Sequence, residues 1–245
     1  MIRRPKQSLL YDCPMAGHSL WSRRPGLFKT GAVSRFAPFA LTMLLALTAS
    51  AVLSRTVFHA LSDIWLQRLG FALKDLVPAR FWRLPLSALV TPGALYFWFD
   101  AVAVVVLVGL CERLVGSWRA ALAFWGVHVG TGLVEAIVGL SASGLWHSTL
   151  LQEVVGSRTV GPSAGYLACL GVAFAFCPRR QRKAFAYAAG AALTAALLWA
   201  IIHARTDPDG LIDGATHAMA LPLGWWLGAR WRRRVSRCPK CRGSR

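Results

Sequence analysis

The sequence predicts an all-α, polytopic membrane protein, and this prediction rests on composition, on the length of the apolar runs and on the distribution of charge. Of its 245 residues, 56% are hydrophobic and only 16% are charged, and the mean hydropathy is +0.47. A soluble domain carries about 25% charged residues, and a globule of this size could not bury so large an apolar fraction. The composition therefore excludes an ordinary soluble enzyme and a disordered or fibrous protein.

Six apolar runs predict six membrane-spanning helices, each of which needs about 20 mostly apolar residues. Polar residues interrupt the second run at Asp100 and the third at His128 and Glu135, and the short sixth run contains Pro222. In chain order the runs lie between Arg35 and Arg55, between Arg83 and Glu112, from Arg119 to Leu145, from Gly161 to Cys177, from Ala184 to Ile202, and from Gly214 to Ala229.

These runs divide the chain into a membrane domain and two basic ends. We predict a six-helix bundle over residues 36–229, a basic cytoplasmic segment over residues 1–35 and a basic tail over residues 230–245. The first helix is expected to be retained, because its positive flank is too long for a usual signal peptide. A signal peptide cleaved near Ala51 and a mitochondrial transit peptide are the alternatives.

Positive charge is distributed unevenly between the two sides of the bundle. The chain has 28 Lys and Arg against 10 Asp and Glu, a net charge of +18. Of these cations, 21 lie in the N-terminal segment, the second and fourth connections and the tail, and seven lie in the other connections. We therefore expect a multi-pass protein of a bacterial plasma membrane with both termini cytoplasmic and residues 56–83 and 203–213 outside. Anionic membrane lipid, rather than nucleic acid, is the expected partner of the basic tail.

The first external connection, residues 56–83, is amphipathic rather than uniformly apolar. Its large apolar residues recur at helical spacing among charged ones, which predicts a segment lying partly in the membrane interface. A solvated connector is the alternative. The apolar residues are Val57, Phe58, Leu61, Trp65, Leu69 and Leu73.

The six cysteines do not indicate structural disulfides, because none lies in a predicted external connection. Cys238 and Cys241 have the spacing of half a zinc site. Cys13 and His18 would have to supply the other ligands, and a pair of reduced thiols is the alternative. We predict no cofactor and no metal.

A serine and a histidine are expected at one depth in the membrane. Ser163 lies two residues past the start of the fourth predicted helix, and His217 lies three past the start of the sixth. Both helices start on the outside, so both side chains lie within about one turn of the external edge. Small residues on both helices permit close approach, and the free N–H groups at the start of the fourth helix could bind an oxyanion. The arrangement meets the minimum requirement for a nucleophile and its base; a serine that only packs is the alternative.

Four short motifs follow one another along the chain. They are Trp82-Arg83 in the first external connection, Glu112 with Gly116-Ser117 after helix two, Gly161-Pro162-Ser163-Ala164 with Gly171 in helix four, and His217 with Gly224 in helix six. Their order and topology make the chain, from about Arg80 to Gly228, resemble the rhomboid family of intramembrane serine proteases.

The resemblance implies a six-helix bundle whose water-filled cavity opens outward. It implies that Ser163 attacks a peptide carbonyl and that His217 acts first as base and then as acid. The implied partners are single-pass transmembrane proteins, which the family cuts near their external ends where the helix unwinds. Unwinding matters because a helical peptide bond is shielded and hydrogen-bonded.

The second helix departs from the family pattern at its oxyanion positions. Where active members have two histidines and then an asparagine, an ungapped count from Trp82 places Thr91, Tyr96 and Asp100. Tyr96 can donate one hydrogen bond, whereas Asp100 can donate only when protonated and as an anion would repel the developing charge. Elsewhere the family's glycine three after the histidine is Ala220, and its tyrosine four after the serine is Leu167.

Two other functions compete with proteolysis. One is a catalytically weak or inactive rhomboid-like protein that binds transmembrane helices. The other is a small transporter or channel with a proton path through Asp100, His128, Glu135 and His217, which no inverted repeat supports.

Overall fold

Helices account for most of the part of the chain that the computed structural model describes, residues 37–204 and 206–236. The helices are α1 Pro38–Ser54, α2 Asp63–Leu69, α3 Arg83–Ser87, α4 Leu95–Ala103, α5 Gly109–Val115, α6 Ser117–Leu145, α7 Thr149–Gly156, α8 Ser163–Phe176, α9 Arg179–His203 and α10 Pro208–Ser236. A π-helical turn, Val104–Val108, joins α4 to α5, and a 3₁₀ turn covers Leu73–Leu76. Two short strands, β1 Phe71–Ala72 and β2 Arg158–Thr159, pair antiparallel.

The prediction of an all-α membrane protein is confirmed. Among the described residues, three helical stretches are long and apolar enough to cross a membrane: α4 through α5, α6, and α9. Helices α1 and α8 are shorter and also apolar. The count of six membrane-spanning helices stays a prediction.

The second apolar run is divided by a turn rather than forming one helix. Gly93 has φ +104° and Ala94 has φ +47°, and a side chain at Gly93 would overlap Ala60 Cα at 2.9 Å. The chain therefore reverses at this point. Arg83–Ser87 becomes a separate short helix, and the long helix starts at Leu95.

The last helix extends beyond both ends of the sixth apolar run. Its N-terminus is fixed by Asp207, whose carboxylate accepts the Gly210 N–H at 2.9 Å, as in a helix cap. The helix continues through Pro222 to Ser236. It thereby passes residue 230, where the sequence suggested the start of a separate tail.

A buried glutamate in the middle of α5 binds the start of α1. The Glu112 carboxylate accepts the N–H groups of Phe39 and Ala40, each at 2.9 Å, and is nearly inaccessible to solvent. The first N–H groups of a helix lack intrahelical partners. A distant carboxylate therefore supplies the cap that the local residues of α1 do not.

Helix α8 lies at the centre of the bundle and packs most closely against α10. Most of its residues are buried, whereas those of α9 are mostly exposed. A side chain at Gly224 would overlap Ala168 Cα at 2.6 Å, and one at Gly171 would lie 2.7 Å from the Trp225 nitrogen. The close approach predicted from the small residues is present, and it brings the two backbones into direct contact.

Candidate active site

Gly161 directs the chain into α8 just before Ser163. Its φ of +132° is one that residues with a side chain rarely adopt, and its N–H donates to the Ser87 carbonyl at 2.9 Å. Pro162 follows at the cap position, and Ser163 is the first helical residue. The Gly-x-Ser spacing therefore reflects a sharp entry into the helix that glycine makes possible.

The start of α8 presents backbone donors beside the Ser163 side chain. The first backbone bond at this end runs from the Tyr166 N–H to the Pro162 carbonyl, at 3.1 Å. The N–H groups of Ser163, Ala164 and Gly165 precede it and have no intrahelical acceptor. Together with the positive end of the helix dipole, they suit a negatively charged oxygen.

Ser163 and His217 lie at nearly the same depth. The register is fixed because Ala168 of α8 touches Gly224 of α10, and the two helices run parallel from there. Ser163 precedes Ala168 by five residues, and His217 precedes Gly224 by seven. At about 1.5 Å per residue the two levels differ by about 3 Å. His217 is in the third turn of α10, since that helix starts earlier than the sequence suggested.

No hydrogen bond joins Ser163 to His217 in the part of the chain that is described. Instead, His217 Nε2 is buried without a hydrogen-bond partner there. Catalytic hydrogen bonds are often long or poorly aligned in a free enzyme and tighten with substrate. The two side chains lie at matching depths, as a nucleophile and its base require, but they do not form a hydrogen bond with each other.

Ser163 lines a small polar cavity between α3, α6, α8 and α10. Its volume of about 30 Å³ is enough for one or two water molecules. His217, Tyr96 and Asp100 are not among the described residues that line it. Its polar lining consists of Ser87, His128, Thr131, Glu135, Thr159, Ser163, Asp213 and Thr216.

His128 lines this cavity together with Ser163, a proximity that the sequence did not predict. Its Nε2 lies 3.1 Å from the Leu84 carbonyl and 3.5 Å from Ser87 Oγ. Because a carbonyl only accepts, Nε2 carries the hydrogen. Nδ1 is then a buried acceptor, and it lacks a partner among the described residues.

The two expected oxyanion side chains occupy different surroundings. Tyr96 is 62% exposed on α4. Asp100 is buried, and its carboxylate interacts with the hydroxyl of Tyr166 on α8. Tyr166, one place before the position where the family has its tyrosine, therefore contacts helix α4. The role of Tyr96 and Asp100 as oxyanion donors stays a prediction.

A buried ion cluster joins the connection between α1 and α4 to the chain before Ser163. Asp75 bonds Arg158 at 2.6 Å and Arg83, of the Trp82-Arg83 pair, at 3.3 Å. Burial raises the pKa of Asp75, but hydrogen bonds from Arg158 and the Ala72 N–H and the charges of both arginines outweigh it. The pKa is therefore below its ordinary value of 3.8, and Asp75 is ionised at neutral pH. Its stabilising contribution is lost only as the pH falls through that lowered value.

The described residues contain no group of three or more His, Cys, Asp or Glu side chains that could hold a metal ion. Cys13, His18, Cys238 and Cys241, the possible zinc ligands, lie outside the described residues. Cys111 and Cys169 are buried free thiols in the bundle.

Comparison with known proteins finds one matching family model. No curated protein matches the chain. The family model of the rhomboid domain matches residues 78–234, a region that starts just before Trp82-Arg83 and contains α3 through most of α10. Because the match covers more than half of the chain and includes every motif around Ser163 and His217, the protein belongs to the rhomboid family.

Proposed function

We propose that this protein is an intramembrane serine endopeptidase with Ser163 as nucleophile and His217 as general base. Rhomboid proteins are in general intramembrane serine proteases. The observation that carries the proposal for this chain is the parallel contact of α8 with α10 through Ala168 and Gly224. That contact holds the serine and the histidine about 3 Å apart in depth.

The proposed reaction proceeds through an acyl-enzyme. Ser163 Oγ attacks the peptide carbonyl while His217 takes the hydroxyl proton, and the N–H groups at the start of α8 stabilise the oxyanion. The C–N bond then breaks as His217 gives the proton to the leaving amine. His217 next removes a proton from water, whose oxygen attacks the acyl carbon. The bond from that carbon to Ser163 Oγ then breaks, His217 returns the proton to Ser163 Oγ, and the new carboxyl end is released.

The proposed substrates are single-pass transmembrane proteins, in keeping with a family that acts on transmembrane substrates within membranes. The cavity at Ser163 has room for little more than water, so it cannot admit a substrate helix. A substrate helix must therefore unwind locally, since its own hydrogen bonds shield its peptide bonds. We also propose a bacterial plasma membrane location with both termini cytoplasmic.

A fluorophosphonate probe on the detergent-purified protein tests this proposal. We expect covalent labelling of the wild type, and loss of at least about 10³-fold in labelling rate in Ser163→Ala and His217→Ala. Ser87→Ala and His128→Ala are matched controls, because Ser87 and His128 form another Ser–His pair in the cavity that Ser163 lines. These two variants should keep labelling within about threefold of wild type. Loss in His128→Ala with retention in His217→Ala would assign the base to α6.

A catalytically weak or inactive protein that binds transmembrane helices is the second candidate. The observation that favours it is the position of Tyr96 and Asp100, which do not line the Ser163 cavity within the described chain. Folded wild type that neither labels nor cleaves, yet crosslinks to a transmembrane segment equally well with Ser163→Ala, would establish this alternative.

A further inference from the structure

We propose that Asp75 is a positioning residue for Ser163, because it anchors both chain segments that meet at Gly161. The inference rests on the proposed function and adds a residue to its site. Asp75 belongs to the first connection, 88 positions before Ser163 in sequence, and is 2% exposed. It acts through its two arginines and does not itself contact the substrate.

The first segment runs from Arg158 to Gly161. The Arg158 guanidinium donates to Asp75 at 2.6 Å and to the Gly70 carbonyl at 2.8 Å. Its backbone is paired with Ala72, whose own N–H donates to Asp75 at 3.1 Å. Only Thr159 and Val160 separate this fixed point from Gly161.

The second segment runs from Arg83 through α3. The Arg83 guanidinium donates to both Asp75 oxygens, at 3.3 and 3.4 Å. Four residues later, at the end of α3, the Ser87 carbonyl accepts the Gly161 N–H at 2.9 Å. Both segments therefore start at one carboxylate and converge on the glycine that turns the chain toward Ser163.

The charge of Asp75 is what keeps the two segments together. The side chains of Arg83 and Arg158 are 10% and 9% exposed, so water screens their repulsion poorly. Asparagine at position 75 has the same shape but no charge. It would leave two guanidinium groups facing each other without an anion, and removing one partner of a buried ionic group is strongly unfavourable.

Displacement of Gly161 should reduce the rate of reaction more than the binding of substrate. A shift of about 1 Å in a reacting group can cost about 10²-fold in rate. We expect Asp75→Asn to lower kcat for a model transmembrane substrate by about 10- to 100-fold, and to change KM by less than about threefold. Arg158→Lys keeps the positive charge but loses the bidentate geometry of the guanidinium group. Its kcat should therefore lie between those of wild type and Arg158→Gln.

Arg80→Gln is the matched control, because Arg80 is an exposed arginine of the same connection. Its side chain has no ion pair or hydrogen bond among the described residues, and its N–H bond to the Asp75 carbonyl survives the substitution. We expect wild-type kcat and KM from this variant.

A second readout does not depend on catalysis. In a Ser163→Cys background, the rate at which iodoacetamide alkylates position 163 reports the surroundings of that side chain. Asp75→Asn should change this rate by at least about threefold through displacement of the site, and Arg80→Gln should leave it unchanged. An inactive wild type would defeat the proposed function, and the alkylation rate would still decide the role of Asp75.

Two results would overturn the positioning role. One is an Asp75→Asn protein with wild-type kcat and an unchanged alkylation rate. The other result matters if Asp75→Asn does not fold. In that case, an Arg158→Lys protein that folds and has the kcat and the alkylation rate of wild type would show that the ionic anchor does not set the position of Ser163.

Discussion

Asp100, a predicted oxyanion donor, is a buried carboxyl group of α4 that reaches α8 through Tyr166. It interacts with Tyr166, which follows Ser163 by three residues, or about 4.5 Å along α8. An anion at this position opposes the negative charge that develops on the substrate oxygen. A protonated Asp100 would not, so the protonation state of this side chain should affect the rate.

Asp100→Asn should therefore increase cleavage, and most at alkaline pH, where aspartate is ionised and the His217 base is unprotonated. The amide oxygen can still accept the Tyr166 hydroxyl, so the contact with α8 is kept. The gain reaches about 10²–10³-fold if the amide also serves as an oxyanion donor. The measurement is the pH profile of kcat for wild type and variant on one transmembrane substrate.

Tyr166→Phe serves as the control for that experiment, since it removes the hydroxyl contact and keeps the carboxylate. It should not reproduce the gain at alkaline pH. If wild type cleaves and Asp100→Asn is no faster at any pH, Asp100 has no part in the site.

The individual residues differ in how far the sequence could predict them. Ser163 and His217 stand out because polar side chains in apolar helices are few and local motifs surround them. The Asp75–Arg158 pair is separated by 83 positions, and no periodicity relates two charged residues in separate connections. Burial of such a pair depends on the β1–β2 pairing, which two-residue strands do not reveal in the sequence.

The contact between α8 and α10 is the feature on which the proposed site depends most. Gly171 and Gly224 allow the two backbones to touch, and the level of His217 follows from that register. Gly165 serves another helix, because a side chain there would overlap the ring of Phe124 on α6. The small residues of α8 thus allow close packing against two helices, α10 and α6.

Gly224→Ala should separate α8 from α10, because its Cβ would lie 2.6 Å from Ala168 Cα. Forcing an extra carbon into a packed interior costs about 1–3 kcal/mol of the free energy of unfolding, or more. Phosphonate labelling should fall as well, since His217 moves with its helix. Thermal denaturation in detergent and the labelling rate are the two measurements.

Gly130→Ala on α6 is the matched control, because a side chain there meets no atom within 4 Å among the described residues. Alanine is a better helix former than glycine by up to about 1 kcal/mol, so this variant should be as stable as wild type or more so. Equal stability of the two alanine variants would contradict the assigned packing.

The sequence predicted the positions of the helices more accurately than it predicted their first and last residues. Each apolar run contains at least one helix, because backbone polar groups in the membrane interior must be hydrogen-bonded within the protein. The ends depend on single contacts that hydropathy does not report. Examples are the turn at Gly93 and Ala94, which shortens the second helix, and the Asp207 cap, which starts α10 before the apolar residues begin.

Across the whole molecule, the short connections decide which ends of the helices lie together. Gly116 alone separates α5 from α6, and two residues separate α8 from α9, so these neighbours run antiparallel. The starts of α8 and α10 consequently share an end of the bundle with the first connection, as the β1–β2 pairing requires. The structure fixes this relative arrangement, and the charge distribution then predicts which end faces the cytoplasm.

The distribution of Lys and Arg predicts the orientation of the bundle. The bias of 21 to seven favours a cytoplasmic start of α9 under the positive-inside rule, which counts Lys and Arg and gives acidic residues little weight.

Cysteine accessibility in intact cells tests this orientation. We expect a membrane-impermeant maleimide to label Ser62→Cys, at an exposed position of the first connection, without disruption of the cells. Arg180→Cys, exposed at the start of α9, should react only after permeabilisation. The parent chain, with its own six cysteines, provides the background. Labelling of Arg180→Cys in intact cells would show that the start of α9 is external and that the predicted orientation is wrong. Ser163 and His217 would then lie at the cytoplasmic end of their helices, where the proposed cleavage of substrates near their external ends could not occur.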